Sequence, residues 1–343
     1  MEHVAIDLGG KESQICVRRA DGTIRLETRC RTIDLSKFFE DTPPSRVILE
    51  TCAESFHVAE SARAAGHDVR VVAATLVRAL GVGARRIKTD KRDAQILSEV
   101  STRIDLKGVH LPTLQARENK SICGARASLV RARTKLINAT RGWMRGWGVR
   151  VRSGEPETLP ERLRAALHPV PGHVEALLKC IESLTDRIDE IDKTIAQRAK
   201  HDEVCKRLMT VPGVGPVTSL LFVATLDDIE RFPDAAKVGA YLGLTPGENS
   251  SSERVARTSI TKAGSTEMRA LLVQAALSLK RCRRDHPLVQ WARKIEQRRG
   301  RNIATVALAR KLAGILFALW RDGTTYTPSR TARPTPTEVS EAE

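Results

Sequence analysis

The sequence holds no C-x-x-C pair: its seven cysteines, Cys16, Cys30, Cys52, Cys123, Cys180, Cys205 and Cys282, are scattered and odd in number. That pattern points to reduced, partly buried thiols in an intracellular chain. The eight histidines do not gather at ligand spacing, which argues against zinc. Aromatic residues make up only 3% of the 343, and no helix with an aromatic insertion face is evident, so a membrane-surface role is disfavoured. No run of eighteen apolar residues is present, and MEHVAIDLGG lacks the build of a signal peptide. The expectation is a cytoplasmic protein with no membrane partner.

What is abundant is positive charge. Lys and Arg number 57 against 41 Asp and Glu, a formal net charge of +16. Such a field favours polyanions, nucleic acid first among them. The charge is also concentrated. Ten basic residues and a single acid, Glu118, lie between Arg117 and Arg152. Eleven more lie between Lys280 and Lys311, opposed by Asp285 and Glu296. A basic run can be a solvated helix face, but two runs this dense fit phosphate contact better. Arg126, Arg133 and Arg141 in the first run are candidate contacts.

The first hundred residues alternate strand and helix signals. HVAIDLG is an apolar run ending in Asp and Gly, and SQICVRR and TIRLETRC flank a hairpin signal at Asp21-Gly22. Helix is predicted over 33–41, 53–65 and 90–103, with strands at RVILE and DVRVVAA between them. The order β-β-β-α-β-α-β-α, opening on a meander, fits a mixed sheet with helices on its faces. Strand signals then vanish. Residues 114–147 read as one or two basic helices. Leu177, Ile181, Leu184, Ile188, Ile191 and Ile195 recur at heptad spacing. This seam is either an amphipathic helix packed on its own domain or a coiled-coil hairpin or dimer contact, and its narrowness favours the latter pair.

Two acids close apolar strands: Asp7, followed by Leu8-Gly9-Gly10, and Glu50. Asp90 and Asp93 stand at i, i+3 in IKTDKRDAQIL, on one helix face. Strand ends of one sheet lie side by side, so all four could converge. Hard cations such as Mg²⁺ or Mn²⁺ take carboxylate oxygens, and phosphate oxygens complete the shell. Each acid also has a structural reading: Asp7 in a turn, Glu50 at an edge, Asp90 as an N-cap with Asp93 as its box partner. The conjunction favours metal. AIDLGGKESQICV further resembles the first phosphate loop of actin-like sugar kinases, but no second Gly-rich loop follows.

VPGVGPVTSLLFVA resembles a helix-hairpin-helix turn, although a plain tight turn between core helices would read similarly. In TPGENSSSERVARTSITKAG, three serines are surrounded by Arg254, Arg257 and Lys262. The segment could be a polar loop. As a nucleophile, a serine there has no local histidine for a base, so its activation would come from the carboxylate-bound metal. Arg257 and Lys262 could stabilise phosphorane charge.

Together, Asp7, VILETCAES around Glu50, KTDKRDAQIL, VPGVGPVTS and P-x-x-x-S-S ahead of SITKAG resemble the DEDD-type insertion-sequence transposases, over about residues 3–325. The resemblance implies an α/β RNase H/RuvC-like N-terminal domain at 1–110 and basic helices with a coiled coil at 111–205. It further implies a mainly α serine-bearing domain with a helix-hairpin-helix-like motif at 206–327. The Pro/Thr-rich end, 328–343, reads as a disordered tail. By resemblance the four carboxylates are the metal-binding tetrad and Ser251 is the nucleophile that links covalently to DNA. Family members often carry Gly after that serine, whereas Ser252 follows here, which leaves Ser250 and Ser252 as competitors. Further implied are donor and target double-stranded DNA, a structured bridge RNA that selects them, and a dimer assembling to a tetramer on the bacterial nucleoid. In that assembly the tetrad of one subunit meets the serine of another. The alternative is a hydrolytic RuvC-like junction-resolving nuclease that uses the carboxylates alone, and a third is a nucleic-acid-binding scaffold without chemistry.

Overall fold

A computed structural model describes residues 1–79, 89–248 and 257–328, of Arg257 the backbone alone. It divides into two compact units, Met1–Pro112 and Thr113–Glu343. The first is mixed α/β around a five-stranded sheet, and the second is mostly helical.

Unit 1 opens with a meander of β1 (His3–Asp7), β2 (Glu12–Arg18) and β3 (Ile24–Arg31). Gly22, with φ +89°, supplies the left-handed residue that the β2–β3 turn requires. Next come α1 (Leu35–Glu40), β4 (Arg46–Glu50), α2 (Ser55–Ala64), β5 (Asp68–Val72), α3 (Ala74–Ala79) and α4 (Asp90–Arg103). The sheet order is β3-β2-β1-β4-β5, antiparallel within the meander and parallel across β1–β4–β5. Alternation along each strand then separates two cores. Val4, Ile6, Val47, Leu49, Val69 and Val71 pack with Leu35 and Phe39 of α1 and Val58, Ala59 and Ala62 of α2. Ala5, Ile48 and Val72 face the other way, toward Val77 of α3 and Leu97 of α4.

Unit 2 begins with α5 (Leu114–Gly146), α6 (Leu159–Ala166) and α7 (Gly172–His201). α5 and α7 run antiparallel: Glu118 pairs with Arg198, Arg126 with Asp192, and Arg133 donates to Thr185. The heptad seam is therefore covered within the chain. Ile181, Ile188 and Ile195 are buried, while Leu177, Leu184 and Ile191 are half-buried. α8 (Glu203–Leu208), α9 (Pro216–Leu226) and α10 (Ala235–Tyr241) follow. A short antiparallel ribbon of β6 (Pro246–Glu248) and β7 (Arg257–Ile260) leads to α11 (Thr266–Cys282), α12 (Pro287–Arg299) and α13 (Arg301–Asp322).

α13 is long and apolar enough, by length and composition, to cross a membrane. About half of its apolar stretch is buried inside the unit, where Leu308, Leu312, Leu316 and Phe317 belong to the core shared with α9, α11 and α12. A helix that is apolar nearly all round is what such a central position requires.

Candidate active site

The register of the sheet brings two of the expected acids together. Ile6 lies opposite Leu49 in the parallel β1–β4 pair, so Asp7 and Glu50 end neighbouring strands at the same edge. Because Ala5 and Ile48 face α4, the two-residue period turns Asp7 and Glu50 to that same face. Both are partly exposed.

The other two acids sit in the first turn of α4. The cap of that helix is Thr89, whose Oγ1 accepts from the Arg92 N–H at 3.3 Å. Asp90 is thus not the N-cap, and Asp93 is not its box partner. Asp90 is exposed at the rim of an open cleft of about 640 Å³, lined also by Lys11, Glu12, Gln14, Arg29 and Arg31. Asp93 is 8% exposed, and its Oδ1 is buried without a hydrogen-bond partner among the described residues. Placing anionic groups at a helix N-terminus is electrostatically favourable, but burying a carboxylate oxygen unpaired is costly.

α4 is held over the sheet by polar contacts. His3 Nδ1 lies 2.6 Å from Ser101 Oγ, Cys16 Sγ lies 3.2 Å from Ser98 Oγ, and Arg18 Nε donates to Ser98 Oγ at 3.2 Å. Lys91 and Gln95 both reach Glu27 on β3. Burial, with Arg46 and the N-terminal ammonium adding to it, lowers the pKa of His3. These supporting residues were not singled out from sequence. Their only signal is a polar stripe, Gln95, Ser98 and Ser101, on the face of a helix that has to pack on a sheet.

The first glycine after Asp7 also has a packing role. A Cβ on Gly9 would lie 2.2 Å from the Glu12 carbonyl oxygen, so the β1–β2 turn closes only over glycine. Among the described residues, no three Asp, Glu, His or Cys side chains stand close enough together to hold an ion. Asp7 and Glu50 end neighbouring strands, Asp90 and Asp93 share the first turn of one helix, and no three of these four carboxyl groups meet. The donor set nonetheless suits a hard divalent cation, since it is all oxygen. The unpartnered Asp93 Oδ1 is an acceptor that such a cation would satisfy.

In unit 2, Ser250, Ser251, Ser252 and Arg254 lie outside the described residues, as does the expected tail beyond Pro328. Lys262 is exposed, with a left-handed backbone at φ +56° and its N–H donating to Gly243 O. The ribbon that brackets the serines has a close-packed base. A Cβ on Gly243 would lie 2.2 Å from Ala263 O, and one on Gly264 would lie 2.1 Å from Tyr241 O. Buried Arg269 donates to the carbonyls of Leu242, Ala263 and Gly264 there. In the VPGVGP turn, Gly213 packs against α11, where its Cβ would lie 2.6 Å from Ala275 O.

Two of the three candidate arginines of α5 are engaged within the unit. Arg126 pairs with Asp192, and buried Arg133 pairs with Glu157 and donates to Thr185. Arg141 is half-buried with its Nε unpartnered.

Comparison with known proteins decides the family. Residues 4–147 match a family model of the DEDD IS110 type described as "Transposase". Residues 205–290 match one described as "Transposase IS116/IS110/IS902 family". The "Probable family 20 transposase" of Pseudomonas aeruginosa is 31% identical over 301 residues, covering 85% of this chain and 88% of that protein. The chain belongs to the IS116/IS110/IS902 transposase family. This IS110-family transposase is also 28% identical over 334 residues to the transposase for insertion sequence element IS1328 of Yersinia enterocolitica, covering 94% and 98% of the two chains. It is 29% identical over 289 residues to the transposase for insertion sequence element IS1111A of Coxiella burnetii, covering 82% and 79%. As a transposase of an insertion sequence it acts on DNA, which it cuts and rejoins. Its DEDD type points to divalent-metal use.

Proposed function

We propose that this IS110-family transposase exchanges DNA strands through a serine nucleophile, Ser251, served by Asp7, Glu50, Asp90 and Asp93. The observation that supports the reading is the position of these acids: two neighbouring strand ends face a helix whose first turn holds a buried carboxylate oxygen without a partner among the described residues. The N-terminal unit would accordingly be RuvC-like. The α8–α9 turn would be the helix-hairpin-helix-like element, with Gly215 open to approach and Gly213 committed to packing.

The four acids would hold Mg²⁺ or Mn²⁺, which when bound supplies Lewis-acid polarisation of phosphate and hydroxyl oxygens. The hydroxyl of Ser251 gives up its proton as its oxygen bonds to phosphorus. One bridging P–O bond of the DNA breaks, and the leaving oxygen takes up a proton. The phosphodiester energy is kept in the serine ester, so rejoining to another strand needs no external energy source. Lys262, exposed beside the ribbon, offers positive charge to the phosphorane. A structured bridge RNA would select donor and target DNA by base pairing, with the protein reading its shape and backbone. The working form would be a homo-oligomer, a dimer assembling to a tetramer on DNA.

The test is a trapped covalent protein–DNA adduct mapped by mass spectrometry. We expect it on Ser251, and we expect Ser251→Ala to abolish strand exchange while DNA binding persists. Full exchange by that variant, or an adduct on another residue, would refute the serine assignment. Divalent-metal-dependent cutting without any adduct would favour the hydrolytic nuclease.

A further inference from the structure

The chain has four tryptophans, and they are used in two different ways. Trp291 and Trp320 pack against the core of unit 2, and Lys311 Nζ sits 4.3 Å above the Trp291 ring. Trp143 and Trp147, at the C-terminal end of α5, are instead 52% and 54% exposed. Four residues apart, they share a helix face. Met144, between them in sequence, is buried with Leu159, Leu163 and Val174 and anchors the helix end from an adjacent face. The Trp147 ring is further braced edge-on by His173 at the start of α7, with centroids 5.6 Å apart. Two large apolar rings are thus held at a helix end, each about half exposed among the described residues.

The surrounding charge indicates what covers them. Arg145, Arg150 and Arg152 are exposed, and none has an ion-pair partner among the described residues. Farther back on α5 the opposite holds: Arg126, Arg131 and Arg133 are paired with Asp192, Glu267 and Glu157. Glu155 is the nearest acid that follows in sequence, and it too is exposed. A second copy of the chain is a poor occupant. A two-fold contact centred on this patch would bring two sets of unpaired arginines into one interface. Flat aromatic faces flanked by free guanidinium groups suit a strand of unpaired nucleotides, whose bases stack and whose phosphates are anionic. Ring positions four residues apart on a helix are separated by about 6 Å along its axis. That is close to twice the rise of about 3.4 Å per nucleotide of a stacked strand.

We propose that Trp143 and Trp147, with Arg145, Arg150 and Arg152, form a stacking platform for unpaired nucleobases, separate from the chemistry of the carboxylates and the serine. The test uses the full-length protein and oligo(dT), oligo(U) and duplex DNA of equal length, read by fluorescence anisotropy. Trp143→Ala/Trp147→Ala should weaken single-strand binding by roughly 10-fold or more and leave duplex binding unchanged. Trp143→Phe/Trp147→Phe, which keeps a ring at each position, should retain most of the affinity. Whichever of oligo(dT) and oligo(U) loses more affinity identifies the source of the strand as DNA or RNA. Unchanged single-strand affinity in the alanine variant would overturn the proposal. So would a drop in oligomeric state by light scattering, which would make the patch a contact between copies.

Discussion

Gly243 and Gly264 close the base of the β6–β7 ribbon from opposite sides, each with φ near +70° and each against backbone oxygen of the other's segment. Neither position has room for a methyl group. We expect Gly243→Ala and Gly264→Ala each to cost about 1–3 kcal/mol, measured by urea denaturation. Strand exchange should fall more steeply than stability, because the ribbon brackets Ser251. A variant that keeps full exchange would detach this base from the chemistry.

Asp93 supplies a second test, read without any turnover. If its buried oxygen is a metal ligand, Mg²⁺ or Mn²⁺ should raise the melting temperature of the wild-type protein, since a ligand that binds the native state stabilises it. Asp93→Asn should melt at or above the metal-free wild-type temperature and lose the metal-dependent rise. An undiminished rise in this variant would remove Asp93 from the tetrad.

Arg126 is a prediction about what a basic residue does not do. Its guanidinium holds Asp192 on α7, so Arg126→Ala should cost about 1–2 kcal/mol of stability. The salt dependence of DNA binding by the folded variant should stay unchanged. A shallower dependence of log K on log salt would show that Arg126 contacts phosphate.

His286 should contribute acid sensitivity to the fold. It caps α12 through Nδ1, which accepts from the Leu288 N–H at 3.2 Å, and its ring stacks on Tyr326. Burial first, and Arg283 second, lower its pKa from the ordinary 6.5. The unfolded chain therefore binds the proton more tightly than the folded one. The stabilisation is complete above pH 6.5 and is lost as pH falls toward the lowered folded value. His3 in unit 1 shifts in the same direction. His286→Asn keeps a cap acceptor and should flatten the fall in melting temperature over that range.

Thiol reactivity should sort by burial. Cys52, Cys180 and Cys282 are exposed, Cys30 is intermediate, and Cys16, Cys123 and Cys205 are buried. Burial pushes Cys123 up to about 11 and Cys205 up to about 12. The three exposed thiols should react first with a disulfide reagent, and the three buried ones only on unfolding.

Much of unit 1 was legible in its sequence because alternation and glycine punctuation are local signals. The meander, β4, α2, β5 and the bounds of α4 fall within a few residues of expectation. α3 was not anticipated, since six residues carry too little periodicity to separate it from the end of β5. Thr89 was passed over as the cap because aspartate is the stronger capping residue by propensity, and only the geometry shows that threonine holds the position. Sequence periodicity defines the face of α7 but not what covers it, and that cover is α5, whose pairing residues lie 52 to 80 positions away. Sequence separation likewise hid Asp192 as the partner of Arg126 and Thr185 as a partner of Arg133. The exposed indoles were equally invisible, because exposure is a property of the packed helix pair.

The hydroxyls beneath α4 fix that helix in phase as well as in place. An inserted residue between Asp93 and Ser98 would turn one against the other by about 100°. Either the hydroxyls would then leave His3, Cys16 and Arg18, or the carboxylate would leave the sheet edge. Changes of length in this short stretch should therefore be far less tolerated than substitutions on its outer face.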